Sequence, residues 1–413
     1  MKTSRMMVLW LMSALILLAG PALAGKEVTQ DGVLHIMNDA TVKGGVEKVA
    51  LEEVWRAGGE DGEDFFGLIT QVVAGEDGNI YLLDTRLSEV PVYAADGERL
   101  TTLSREGDGP GETRTPSNML MMPDGTLGLV QVFPGKVTKI GLDGSPQGVY
   151  EVGGGTAGGF MIFFDCLSGP ENLVITGEKI SQVPPAGQIR TNFVASFDME
   201  GNETARYHEQ EQKWDFTGAF EYDEEKMARV DFRKTAVGQD GRVYVAAYRN
   251  EYKIDVYQAD GTLERVIERP YESRKRTDED FDMVQSAAEA QFQQLPNAKV
   301  TMSHSEPDVG GLRIDPAGNL WVTTSRSGWE MEEGTLAIFD VYSPDGHLIR
   351  QVAPQCEGDG QNDALFWTPS GDAVMVTGFT EAIRALQGGG QASTEEDVDS
   401  EAEPMEVIYF KAG

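Results

Sequence analysis

Paired Asp-Gly steps recur along this chain, and each pair brackets the same four-part phrase. Asp77-Gly78 leads into Ile80-Tyr81-Leu82-Leu83, then Val90-Pro91-Val92-Tyr93, then Asp96-Gly97. The next phrase repeats it: Asp124-Gly125, Leu127-Gly128-Leu129-Val130, Val137-Thr138-Lys139-Ile140, Asp143-Gly144. The two glycines stand 19 apart within each phrase, and the phrases are offset by 47. Gly suits such turns because tight hairpins need φ > 0, which Asp and Asn tolerate and β-branched residues do not. A period of about 40–50 residues built of short strands and tight turns predicts propeller blades.

The pattern loosens beyond these two phrases but persists. Gly169-Pro170-Glu171-Asn172 and Glu200-Gly201 bracket a third unit, and Asp240-Gly241 and Asp260-Gly261 a fourth. Pro316-Ala317-Gly318-Asn319 and Asp345-Gly346 bracket a fifth, and Ser370-Gly371-Asp372 with a last strand at 405–410 begins a sixth. Each unit reads as strands A to D, innermost first. The sixth runs out of chain after its third strand, and a strand at 46–55 can complete it. That closure covers both open sheet edges. The expected fold is all-β, a six-bladed β-propeller of four-stranded antiparallel blades over 46–413, with one helical insertion between blades 4 and 5.

The phrase Asp77-Gly78-Asn79-Ile80-Tyr81-Leu82-Leu83-Asp84, the following Val92-Tyr93-x-x-Asp96-Gly97, and Gly107-Asp108-Gly109-Pro110-Gly111-Glu112 resemble the NHL-like six-bladed β-propeller proteins exported by bacteria. The resemblance implies fold and export, and many members of that group have no assigned activity. Typical NHL repeats carry an Arg just before the third strand, where this chain has Glu89, Lys136 and Lys253.

Residues 1–24 read as a secretory signal peptide: Lys2 and Arg5, an apolar run over 6–18, then Ala22-Leu23-Ala24. Residues 25–45 read as a short leader. Export to the periplasm or the extracellular space is expected, with no membrane insertion after cleavage, since no other stretch could span a bilayer. The formal charge is −34 and becomes more acidic once Lys2 and Arg5 leave, which disfavours nucleic acid and anionic lipid as partners. Cys166 and Cys356 are the only cysteines. Export permits a disulfide between them, whereas the apolar run around Cys166 favours a buried free thiol.

In a blade, turns A–B and C–D share one rim, and loops B–C and D–A share the other. All the Asp-Gly turns belong to the first rim. The long insertions at 177–190, 202–234, 268–309 and 378–404 are expected on the second, around the channel mouth, where long segments tend to be functional. Thr277 followed by Glu279, Asp280 and the spacing of Phe281, Val284, Ala288 and Phe292 predicts a helix over 277–295 within an insertion at about 269–309. The acidic loop at about 378–404 includes Glu395, Glu396, Asp397 and Asp399, a composition that cannot bury enough surface to order itself.

Cations on the decorated rim could hold a carboxylate, phosphate or sulfated sugar. Arg86, Arg249 and Arg326, with Trp329 as a stacking group, are the ligand-binding candidates; pairing with Asp84, Glu89 or Glu251 is the structural alternative. Phe65, Phe66 and Tyr248 share that rim. Asp84, Asp165 and Asp231 are the metal candidates, with calcium the ion they would suit; a satisfied structural carboxylate is the alternative for each. His35, His208, His304 and His347 are scattered, and no nucleophile elbow or zincin helix occurs. No cofactor is expected. The functional expectation is a non-catalytic propeller binding a peptide, protein or glycan at its loop-rich rim. The alternative is a calcium- or zinc-dependent hydrolase or lyase acting at the same mouth.

Overall fold

The computed structural model describes residues 25–42, 44–60, 62–153, 160–295, 297–387 and 404–412. The expected signal peptide and most of the acidic loop lie outside them. Strands β1 (Lys26–Gln30) and β2 (Val33–Met37) form a hairpin, followed by the long β3 (Val46–Gly58). Strands β4 (Ile69–Ala74), β5 (Ile80–Asp84), β6 (Val90–Tyr93) and β7 (Arg99–Leu103) pair antiparallel in chain order. The same ladder recurs in β8 (Asn118–Met121), β9 (Leu127–Gln131), β10 (Lys136–Ile140) and β11 (Pro146–Tyr150), then in β12 (Phe160–Ser168), β13 (Leu173–Val183), β14 (Gly187–Phe197) and β15 (Glu203–Asp215). After β16 (Glu221–Asp223) comes the ladder β17 (Thr235–Val237), β18 (Val243–Val245), β19 (Lys253–Tyr257) and β20 (Leu263–Glu268), to which β2 adds in parallel. Helix α1 (Asp278–Phe292) and β21 (Lys299–Thr301), the parallel partner of β16, complete the insertion. The chain ends with β22 (Val309–Ile314), β23 (Leu320–Thr324), β24 (Phe339–Tyr342), β25 (Leu348–Gln355), β26 (Ala364–Trp367), β27 (Ala373–Val376), α2 (Phe379–Gln387) and β28 (Glu406–Ala412).

The Asp-Gly turns work by local bonding. At 75–79, Gly78 N–H bonds the Gly75 carbonyl at 3.0 Å, Gly75 N–H bonds the Asn79 carbonyl at 2.9 Å, and the Asp77 carboxylate accepts Asn79 N–H at 3.0 Å. Gly78 takes φ +79°, a left-handed conformation that closes a three-residue hairpin. The same Asp-to-second-residue bond recurs at Asp96, Asp124, Asp143, Asp240 and Asp260. The Gly107–Glu112 segment is built on a similar economy: the Glu112 carboxylate accepts Gly109 N–H and pairs with Arg105, and a Cβ at Gly107 would lie 2.0 Å from it.

Apolar clusters join each ladder to the next. Leu83, Val92, Met119 and Leu129 link the first two, and Val130, Phe163, Ile175 and Phe193 the second and third. The ring closes where Val374, Val376, Val407 and Tyr409 of the last strands meet Ile69, Ile80, Leu82 and Tyr93 of the first ladder. Trp55 of β3 lies between Tyr93 and Tyr409, with ring centroids 5.3 and 5.5 Å away. The innermost strands β4, β8, β12, β17 and β22 touch in succession around the middle. Among the described residues this is an all-β, propeller-like arrangement of four-stranded sheets with two helices.

The sheets differ in two ways from the sequence expectation. Four ladders stand as separate sheets, one of them extended by the β1–β2 hairpin, but, apart from the β16–β21 pair, the remaining eight strands form one sheet. The reason is the length of β3. Val46–Ala50 pair in parallel with β25, and Leu51–Gly58 pair antiparallel with β28, so one strand of 13 residues welds two ladders together. Its role in closure agrees with the expectation; six separate sheets do not. Secondly, 177–190 is not a loop. β13 and β14 continue as a paired hairpin to Val183 and Gly187, and β15 follows β14 out to Asp215.

Candidate functional site

The long strands β13–β15 carry a cap built from residues 216–232 and 269–308. Its small core gathers Trp214 at the end of β15, Phe220 and Phe292, with Trp214–Phe220 and Phe220–Phe292 centroids 5.0 and 5.2 Å apart. Helix α1 enters through a capping box: the Thr277 hydroxyl accepts Asp280 N–H at 3.1 Å, and the Asp280 carboxylate accepts Thr277 N–H. Ala288 and Phe292 are its buried residues.

An ion network fastens this cap to the propeller. Glu224 accepts Arg276 Nη1 and Nη2 at 2.8 and 2.9 Å, Arg249 Nη2 at 2.9 Å and Ser303 N–H at 2.8 Å. Arg276 also binds Glu306, and Arg274 pairs with Asp280 while lying over the Trp329 ring at 3.9 Å. Burial pushes the Glu224 carboxyl up, but Arg276, the Ser303 amide and Arg249 outweigh it and hold the group below its ordinary range.

Beneath the cap lies a cavity of about 230 Å³. Arg190, Arg229, Lys234 and Arg249 line it together with Glu224 and Asp231, and Trp214, Tyr222, Tyr248 and Phe292 supply its aromatic wall. The cations are committed to different degrees. Arg249 is nearly buried and bound to Glu224; Arg190 lies over Trp214 at 3.8 Å and reaches Glu178 at 3.3 Å. Arg229 reaches Glu178 only at 3.8 Å and is partly exposed. Lys234 Nζ donates to the Val309 carbonyl. Burial pushes Lys234 below its usual pKa and pushes Asp231 above the usual carboxylate range, while the two attract each other. In a strongly acidic chain this is a local excess of positive charge with apolar walls, suited to a small anionic group.

A second, more open concavity of about 930 Å³ runs beside β3, lined by Arg56, Asp64, Tyr93, Arg99 and Glu406 among others. Its charges are spent on one another: Arg56 pairs with Glu53 and Glu406, and Arg99 with Asp64.

The residues singled out from sequence distribute unevenly. Arg249 lines the cavity under the cap, but its charge is taken by Glu224 rather than by the expected Glu251. Arg326 is exposed and donates to the Glu272 carbonyl at 3.0 Å, and Trp329 carries Arg274 on its face, so both support the cap segment. Arg86 is exposed on the first ladder, outside this group. Asp84 is fully buried and accepts N–H bonds from Gly67, Leu68 and Leu87 at 2.7, 3.1 and 3.0 Å, which pins the strand entry. Asp165 is buried, accepting Asn118 Nδ2 at 2.6 Å, Cys166 N–H at 2.9 Å and Arg233 N–H at 3.3 Å; burial raises its pKa to about 6. Asp231 alone of the three lines the cavity. Among the described residues no three His, Cys, Asp or Glu side chains gather as metal ligands, so these carboxylates are not brought together. Cys166 and Cys356 are free thiols in different clusters, correcting the candidate disulfide; burial raises the pKa of both. Glu178, Arg190, Glu224, Arg229 and Arg276 went unread because isolated charges in insertions carry no spacing signal.

No family model matches the chain, and no curated protein matches its sequence. Among solved structures, a candidate exported protein from Bacteroides fragilis is similar with a TM-score of 0.45 at 9% identity, covering 91% of this chain and 99% of that one. A streptogramin B lyase scores 0.38 at 11% identity, covering 82% and 78%. A gluconolactonase from Xanthomonas campestris scores 0.37 at 11% identity, covering 84% and 88%. Likenesses this distant say nothing of ligand or reaction. No helix among the described residues is long and apolar enough to cross a membrane.

Proposed function

We propose that this chain is an exported, non-catalytic six-bladed propeller that binds an anionic group of a peptide, protein or glycan beneath its cap. The count of six divides the eight-stranded sheet at the parallel β25–β3 pairing, which leaves β22–β25 and β26–β27–β28–β3 as two blades. The pattern over residues 1–24 supports export, and the Gly107–Glu112 segment supports kinship with NHL-like propellers.

The observation that carries the binding reading is the cavity where Arg229 and Lys234 converge beside aromatic walls. Neither cation has a close carboxylate partner: Arg229 reaches Glu178 only at 3.8 Å, and Lys234 is bonded to a carbonyl. Asp84 and Asp165 spend their oxygens on backbone amides and Asn118, which favours binding over a metal-dependent hydrolase or lyase. Glucuronate and N-acetylglutamate serve as probes in thermal unfolding. At a hundredfold excess over Kd, a true ligand stabilises by about 2.7 kcal/mol. The double variant R229Q/K234M should lose that shift. If neither probe stabilises the protein, or the double variant responds as the parent does, the reading fails.

A further inference from the structure

Arg233 and Lys234 are neighbours in sequence but serve opposite sides of one wall. Lys234 lines the cavity under the cap, whereas Arg233 meets the innermost strands of three other sheet segments. Its backbone N–H bonds Asp165 of β12, its Cβ packs near Gly311 of β22, and its guanidinium lies over Phe366 of β26 at 5.5 Å. The same guanidinium lies 5.2 Å from the ring centre of Phe379, the first residue of α2. Three innermost strands, β12, β22 and β26, thus meet at this one residue, which places it at the middle of the ring. Arg233 is nonetheless exposed to solvent, as a side chain in an open channel is.

Two further features single this residue out. Arg233 adopts φ +62°, a left-handed conformation unusual for a residue with a long side chain. It is held there by Asp165 on its N–H and by Leu312 N–H, which bonds its carbonyl at 2.8 Å. Such backbone strain persists only where the surroundings impose it. Moreover, the guanidinium has no hydrogen bond or ion pair among the described residues. Among the described residues Asp165 is the charged group that acts on it, and the Asp165 oxygens accept Asn118 Nδ2, Cys166 N–H and the Arg233 backbone N–H rather than the guanidinium. Five N–H donors and a full charge, flanked by two aromatic rings, are left facing the channel.

We propose that Arg233 anchors a second site, in the channel mouth, for a carboxylate borne on an aromatic ring. The carboxylate would accept two parallel N–H bonds from the guanidinium, and the ring would pack against Phe366 and Phe379. The wall segment 229–234 separates this site from the cavity under the cap.

Benzoate and inorganic phosphate are the probes, titrated against the mature protein by calorimetry and ligand-observed NMR. Benzoate is expected to bind with Kd of about 1 mM or tighter. R233N suits the left-handed backbone and so preserves the fold; it should weaken benzoate binding tenfold or more while the melting temperature holds. R233K should retain part of the affinity. R229Q should leave benzoate binding unchanged while losing the ligand of the cavity under the cap, so the two sites fail separately. Undiminished benzoate binding by R233N overturns the proposal, as does an absence of binding by the parent protein. Phosphate bound as tightly as benzoate overturns the role given to the rings.

Discussion

Replacing Glu224 by Ala should release the cap without unfolding the propeller. Glu224 accepts four N–H bonds, three of them from the guanidinium groups of Arg276 and Arg249, whose side chains are only 4% and 7% exposed. Removing one partner of a buried pair strands the other charge, a loss of about 3–5 kcal/mol. The lower end applies here. Arg276 keeps Glu306 and the Ser303 carbonyl, and Arg249 keeps the Ser305 carbonyl and Asn250. The cap has its own small core around Trp214, Phe220 and Phe292, so the loss should appear as local opening. A cost of about 3 kcal/mol corresponds to amide exchange faster by roughly 150-fold. Hydrogen exchange read by mass spectrometry should show that acceleration in α1 and β21, with the ladders β4–β7 and β8–β11 unchanged. The pH dependence has a defined sign. A carboxyl depressed in the fold stabilises above its ordinary pKa and loses that contribution as pH falls through the folded value, so the parent cap should begin to resemble the variant only in acid. Acceleration below fivefold in α1, or equal acceleration in all ladders, would refute the reasoning.

Two turn glycines that look alike in sequence should differ sharply. Gly97→Ala would place a Cβ 2.7 Å from the Trp55 ring at φ +93° and should lower stability by about 3 kcal/mol, whereas Gly125→Ala, with open space at φ +80°, should lose only about 1 kcal/mol, both read by denaturant midpoints. Asp165, raised to about 6 by burial, contributes stability at acid pH that is lost as pH climbs from about 4 to 6; unfolding free energy should fall by about 3 kcal/mol across that window relative to Asp165→Asn, and its carboxyl carbon should titrate near 6 by NMR. Thr277→Ala should weaken α1 by about 1 kcal/mol, visible as faster exchange at its first turn alone. Both cysteines should alkylate without reductant once the chain is denatured, and Cys356 should react before Cys166 in the native protein, since Cys166 is fully buried.

The candidate site was less legible than the frame around it. Thr277 and Asp280 announced α1, because a helix start depends on residues three apart. The alternation in 177–190 passed for a loop because it is mostly polar; its pairing depends on β15, which lies further along the chain. The carboxylate that takes the Arg249 charge, Glu224, lies 25 residues earlier, in a segment without periodicity, and not among the acids next to it in sequence. For Asp84 and Asp165 the sequence leaves metal ligand and satisfied structural carboxylate both open, because a carboxylate's hydrogen-bond partners cannot be read from its neighbours in sequence.

What the sequence by itself determined were the hairpins, their period and the short rim they form. Gly in a left-handed turn and Asp bonding the amide two residues on are contacts within five residues, so composition alone specifies them. Tertiary structure decided the rest. β3 welds two ladders only because it meets β25 and β28, some 300 and 350 residues away. Arg233 meets Asp165, Gly311 and Phe366 only because β12, β22 and β26 close around it. Charge is a property of a residue, but whether that charge is spent or free depends on distances that exist only after the ring has closed.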